Sequence, residues 1–198
     1  MNQNQRDEKI VQEILAAARD IFSQYGFKKA TMEDVAKATG KGKSTLYYYY
    51  PGKTELYEAV VRDEVEKHIK AIREEVNRAS GSQDKLKALL SKRLELKKQM
   101  QNLGRVIQES MFDNFDTFCR IKQEFEETQV GFVKEIVLGG IQLGEFKKLS
   151  TEELNFFSHW VIAGFSSLSQ PIYPSQWLKE TDEFCDKIVG FIIEGVKK

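Results

Sequence analysis

The stretch from Thr31 to Lys53, TMEDVAKATGKGKSTLYYYYPGK, leaves the chain few choices. Thr31-Met-Glu-Asp34 has the form of a capping box, in which the Thr31 hydroxyl takes a backbone N–H of the first helical turn while Asp34 reaches back. The helix begun there carries Met32, Val35, Ala36 and Ala38 and is stopped by Gly40. A second short helix starts near Gly42 and ends by Pro51, which cannot continue it. Two short helices joined by a turn of about three residues have the layout of a helix-turn-helix, whose second element lies in the major groove of DNA.

The flanking sequence supports a three-helix unit. Ile10, Val11, Ile14, Leu15, Ala18, Ile21, Phe22 and Tyr25 recur at helical spacing and define one face of a first helix. Gly26 follows as an expected left-handed cap. A longer helix is predicted from Thr54 through Leu56, Val60, Val61, Val65, Ile69 and Ile72. On a wheel of about 100° per residue, Leu46, Tyr47 and Tyr50 share one arc with Lys43 at its margin. That arc is expected to pack inward, taking Tyr50 and much of Tyr47 with it. Ser44, Thr45, Tyr48 and Tyr49 fall opposite. Small polar residues early in a helix allow close approach to base edges, and phenol hydroxyls further along reach phosphate oxygens.

Gly-Lys-Ser at 42–44 and Gly-Lys-Thr at 52–54 could each end a nucleotide-binding loop. Such a loop needs a glycine five residues before the Gly-Lys glycine, after a strand. Those positions hold Lys37 and Tyr47, and no strand pattern precedes either. Phosphate of a nucleic-acid backbone is the better match. From Lys28 to Lys53 six lysines face only Glu33 and Asp34, and Lys53 opens a helix whose free N–H groups favour an anion.

Over the whole chain, 30 Lys and Arg balance 30 Asp and Glu, so a nucleic-acid site must be local. Three prolines in 198 residues, among long Glu, Lys, Leu, Ala and Gln stretches, favour an all-α fold. Cys119 and Cys185 match no metal or redox spacing and read as reduced thiols, and His68 and His159 lack ligand-spaced partners. The N-terminus lacks a signal-peptide apolar region, and no apolar run approaches the ~20 residues of a membrane span. The expectation is a cytoplasmic protein without cofactor or metal. No nucleophile–base arrangement points to an enzyme.

Residues 10–61 resemble the DNA-binding domain of the TetR family of bacterial transcriptional repressors. The resemblance rests on Ala18, Phe22, Gly26 and Phe27, then T-x-x-D-V-A from Thr31, then K-x-T-L-Y-Y from Lys43, then Lys53. It implies an N-terminal three-helix helix-turn-helix domain, taken as 7–60, and a C-terminal helical ligand-binding and dimerisation domain, 61–198. It also implies a homodimer on a palindromic double-stranded operator, released by a small effector. Carried over by position, it implies DNA contacts at Thr31, Lys41, Lys43, Ser44, Thr45, Tyr47, Tyr48, Tyr49 and Lys53. Lys41, Gly42, Ser44 and Tyr49 depart from the family's usual residues, which bears on the operator sequence.

Beyond Ser80 the chain stays helical, with breaks at 79–82 and Asn102-Leu-Gly104 and a long helix from about Phe115 to Leu143. Aromatic and methionine side chains at Met100, Met111, Phe112, Phe115, Phe132 and Trp160 suggest a cavity for a small apolar effector, with Gln108, Gln101 or Gln129 to orient it. Helices around 154–168 and 184–196 are apolar on more than one side. Phe157, Phe165, Phe184, Ile188, Phe191 and Ile192 are expected at a four-helix interface between two copies, an arrangement the resemblance also implies. The alternative is a helical interaction or adaptor protein whose helix-turn-helix no longer binds DNA.

Overall fold

The structure, a computed structural model, describes residues 3–99, 115–167 and 181–197. The side chains of 97–99, 115, 118 and 181–186 lie outside that description. The described residues hold eight helices: α1 (Gln3–Lys29), α2 (Met32–Thr39), α3 (Lys43–Tyr49), α4 (Lys53–Arg78), α5 (Ser82–Gln99), α6 (Phe115–Leu143), α7 (Thr151–Ser167) and α8 (Thr181–Val196).

Two compact units emerge. The first takes Met1–Lys67 with Lys97–Ile121, and the second His68–Leu96 with Lys122–Lys198. This division into compact units runs through α4, a few residues beyond the expected domain limit at residue 60, and a later segment joins the N-terminal unit. Part of the reason is visible at Ile121, which is buried in the first core, and at Arg120, whose Nη2 donates to Glu58 Oε1 on α4 at 3.2 Å.

In the first unit, Ile14, Leu15, Ala18 and Phe22 of α1 meet Met32, Val35 and Ala36 of α2, Leu46 of α3, and Leu56, Tyr57 and Val60 of α4. Phe22, Phe27 and Tyr57 form an aromatic group, with Phe22 edge-on to Tyr57 at 5.1 Å between centroids. Gly26 takes a positive φ of 76° but an extended ψ of 163°, so it breaks α1 sharply and differs in ψ from the left-handed cap the sequence suggested. The chain regains one helical turn before α2.

In the second unit, Ile72, Val76, Leu86, Leu89 and Leu90 pack with Val133, Ile136 and Val137 of α6 and with Val161, Ile162, Phe165, Val189 and Ile192 of α7 and α8. Ser150 and Glu153 cap α7 reciprocally, at 2.7 and 3.1 Å. The link from α6 to α7 crosses Gly140, where a Cβ would lie 2.2 Å from the Phe146 ring. Only glycine lets that buried ring sit against the helix. Lys147 N then donates to Val196 O at 2.8 Å, pinning the end of α8.

Candidate nucleic-acid interface

The capping box anticipated from Thr31 is present. Thr31 N donates to Asp34 Oδ2 at 3.0 Å, Asp34 N donates to Thr31 Oγ1 at 3.2 Å, and the Thr31 hydroxyl donates to Asp34 Oδ2 at 2.6 Å. That hydroxyl bond chiefly holds the Asp34 carboxyl below its ordinary range. Gly40 closes α2 in the left-handed conformation, φ 64° and ψ 17°, and Lys41 N returns to Ala36 O at 3.2 Å. The turn then delivers α3 with Leu46 wholly buried.

Because Leu46 centres the inward arc, the residues about 60° and 40° to either side of it are Tyr49 and Tyr50. Both pack against the first core. This corrects two expectations. Tyr49 does not face away, since its hydroxyl donates to Asp7 Oδ1 at 2.9 Å, tying α3 to the first turns of α1 and raising the Tyr49 pKa. Tyr47 is not core; it is 50% exposed, and Tyr48, 81% exposed, projects furthest. Ser44 is exposed beside Tyr48, and Thr45 is half-buried. The outward surface is thus Lys43, Ser44, Tyr47 and Tyr48, with Thr45 at its edge.

The lysines are engaged in ways the sequence did not reveal. Lys43 Nζ lies 2.9 Å from Glu33 Oε2, and Lys37 Nζ lies 3.6 Å from Glu33 Oε1. The hydrogen bond from Lys43 lowers the Glu33 pKa, and the same bond raises that of Lys43. Lys41 Nζ pairs with Glu13 Oε2 at 2.7 Å, lowering the Glu13 pKa, so Lys41 is held toward α1. Lys53 Nζ donates to the carbonyls of Phe27 and Lys28 at 2.9 and 3.3 Å and lies 4.6 Å from the Phe27 ring centroid. It closes the carbonyl end of α1, a role that local charge counting cannot tell from phosphate binding. The one sequence signal for Glu33 as a partner was its i,i+4 spacing to Lys37.

Of the seven effector residues inferred from sequence, the description covers the side chains of Phe132 and Trp160. Met100, Gln108, Met111 and Phe112 lie outside the described residues, as does the Phe115 side chain. Phe132 is buried, with the Arg73 guanidinium 4.1 Å over its ring. Trp160 is 55% exposed on the outside of α7, so it does not line an interior cavity. Beside Phe132 a cleft of about 150 Å³ is lined by Arg73, Asn77, Lys85, Glu135 and Leu143 among others. It is smaller than the ~300 Å³ at which ligand sites usually begin. Gln129 is fully buried and spoken for: Oε1 accepts from Arg93 Nη1 and Nε2 donates to Phe125 O at 3.1 Å. Burial lowers the Arg93 pKa to about 10. Arg93 also donates to Ser166, a link of α5 to α7 that sequence reading missed.

The supposed interface residues divide as well. Phe165 and Ile192 are 2% and 6% exposed in the chain's own core, so neither can meet a second copy. Phe157 and Ile188 are half-buried against that core, and the Phe184 side chain is outside the description. Phe191 is 78% exposed, and Phe156, on the same apolar helix as Phe157, is 74% exposed. Among the described residues no cluster of His, Cys, Asp and Glu is placed to hold a metal ion, and no helix is long and apolar enough to cross a membrane.

A short capped helix followed by a second that turns hydroxyls and amines outward is a helix-turn-helix reading head. Residues 14–60 match the family described as bacterial regulatory proteins, tetR family. The chain is 28% identical over 189 residues to the HTH-type transcriptional regulator YvaF of Bacillus subtilis, covering 92% of this chain and 93% of that one. A crystal structure of a transcriptional regulator from Cytophaga hutchinsonii superposes with a TM-score of 0.76 at 24% identity, covering 93% and 97% of the two chains. A FadR from Bacillus subtilis solved in complex with stearoyl-CoA superposes at 0.65 and 18% identity, covering 92% and 95%. These two structures share its fold over nearly the whole length. Over residues 14–60 the chain is thus similar to the bacterial regulatory proteins of the tetR family, and over nearly its whole length to a relative described as a transcriptional regulator.

Proposed function

We propose that the chain is a dimeric repressor that binds a palindromic operator through residues 7–60 and leaves it when the C-terminal part, 61–198, takes up a small apolar effector. The observation that carries the DNA reading is the outward surface of α3, where Tyr48 stands 81% exposed beside Ser44 and Lys43 on a helix anchored by Leu46. An aromatic residue so exposed adds nothing to the core, whereas its ring and hydroxyl suit a groove and its phosphate edge. Tyr47 shares that surface, Thr45 stands at its edge, and Thr31 caps the helix before it. Lys41, Tyr49 and Lys53 support it from within.

Exposed Phe156 and Trp160 on α7 and Phe191 on α8 support pairing with a second copy. A lone chain gains nothing from leaving three large aromatic groups in water. Two-fold symmetry would then bring two reading heads to one palindrome. For release, an effector must prefer the DNA-incompetent dimer, with a coupling of typically ~1–3 kcal/mol. That a FadR of the same fold holds stearoyl-CoA supports an apolar effector.

The test is binding to duplexes selected from random DNA, followed by fluorescence anisotropy at rising salt. Affinity should fall steeply with salt through counterion release. Tyr48→Ala should weaken the selected duplex about tenfold or more, the range of one good base contact, with an unchanged thermal midpoint. Salt-independent binding, or a Tyr48→Ala protein that binds normally, would favour the adaptor reading instead.

A further inference from the structure

Glu33 is a carboxylate set beside a surface that, on the reading above, meets a polyanion. It stands in the first turn of α2, half exposed, and reaches across to Lys43, the first residue of α3. An exposed ion pair of this kind contributes little to stability. Close to phosphates its charge opposes docking, so its presence at the reading surface calls for a compensating contact on the DNA. In the major groove the donors that can meet a carboxylate are the amino groups of cytosine and adenine.

The geometry narrows the choice. Lys43 Nζ and Glu33 Oε2 are 2.9 Å apart, one donor beside one acceptor. Across a G·C pair, guanine O6 and the cytosine amino group are neighbours at an ordinary hydrogen-bond separation of about 2.9 Å, one acceptor beside one donor. The two pairs are complementary. Lys43 has three N–H donors, so it can keep Glu33 and still reach guanine O6 and N7. A T·A pair offers the same order of groups, but thymine gives the ammonium one acceptor and sets a methyl group beside it. A C·G pair reverses the order and turns the ammonium toward an amino group. Lys37, 3.6 Å from the other carboxylate oxygen, helps to fix the orientation.

We propose that Glu33 and Lys43 act as one unit that reads a single G·C base pair in each half-site, Lys43 on guanine and Glu33 on the paired cytosine. The inference rests on the DNA-binding reading of α2 and α3 and adds a specificity determinant on α2 that the TetR-type motif residues leave unassigned. It treats the ion pair as the recognition element, so the two residues must be changed separately and compared.

The experiment selects bound duplexes from a random library with the wild-type chain, Glu33→Ala and Glu33→Gln, then measures the affinity of single-base-pair variants of the selected duplex. The wild type should select G·C at one position per half-site. Glu33→Ala should lose about tenfold of its discrimination against T·A and C·G at that position alone. Glu33→Gln, which keeps an acceptor oxygen, should retain part of it, and thermal midpoints should stay level. If instead both variants bind every duplex more tightly and select the same sequence, Glu33 merely shields Lys43 and the inference is overturned. A wild-type chain that selects a sequence lacking such a G·C pair overturns it equally, with the DNA-binding reading intact. A wild-type chain that selects nothing takes both down.

Discussion

Replacing Phe191 by aspartate is expected to split the proposed dimer while leaving each subunit folded. An aromatic side chain brings roughly 200 Å² to an interface, and Phe191 keeps 78% of its surface exposed in the single chain. Two copies therefore offer about 300 Å² that pairing can bury, worth ~7 kcal/mol gross at ~25 cal/mol per Å². If imperfect packing halves that figure, ~4 kcal/mol remains, or about a thousandfold in the dimer dissociation constant. The aspartate adds a desolvation cost on top. Sedimentation equilibrium should show Phe191→Asp as a monomer at concentrations where the wild type is dimeric, with helical circular dichroism retained. Ile192→Ala is the control: that side chain is 6% exposed, so the change should lower the thermal midpoint without altering the mass. A Phe191→Asp protein that stays dimeric would refute the assignment of this face.

Lys53→Met should cost about 0.5–1.5 kcal/mol of stability, chiefly through the lost bond to the part-buried Phe27 carbonyl. Chemical denaturation checks this, and an unchanged midpoint would return Lys53 to a purely phosphate-binding role. Gly140→Ala should destabilise by about 1–3 kcal/mol because the new methyl group meets Phe146 at 2.2 Å. Gly139→Ala, whose Cβ has nothing within 4 Å, should stabilise α6 by up to about 1 kcal/mol. Thermal scans that rank the two alike would contradict the packing described at Phe146. Asp34 has a folded pKa below its ordinary 3.8, so its contribution is present above that value and is lost as pH falls through the folded pKa. Between about pH 5 and pH 3 the wild type should therefore lose thermal stability faster than Asp34→Asn, and parallel acid profiles would count against the cap.

What could be read from sequence was what neighbouring residues decide among themselves. Thr31 with Asp34, Gly40 and Pro51 set the ends of two short helices through backbone geometry alone, and the structure keeps all of them. The C-terminal end of α6 at Leu143 was also legible, from the glycines around it. The facing of α3 was not. Four consecutive tyrosines look alike on a wheel, and only the burial of Leu46 shows that Tyr49 belongs inside and Tyr47 outside. In α7 and α8 apolar residues surround the whole helix, so the pattern could not separate Phe165 and Ile192, which fill the core, from Phe156 and Phe191, which do not. The partners of the lysines and of Tyr49 escaped for another reason. Glu13 with Lys41, Asp7 with Tyr49, and Lys53 with Phe27 are contacts between elements distant in the chain, which no local spacing encodes.

The central claim is that α3 of two paired chains enters successive major grooves of one duplex. Hydroxyl-radical footprinting of the selected duplex tests it most directly. The account predicts two protected windows related by a two-fold axis, roughly one helical turn of about 10 base pairs apart, and both fading together in Tyr48→Ala. A duplex cut evenly along its length, or a single window that persists in Tyr48→Ala, would contradict it.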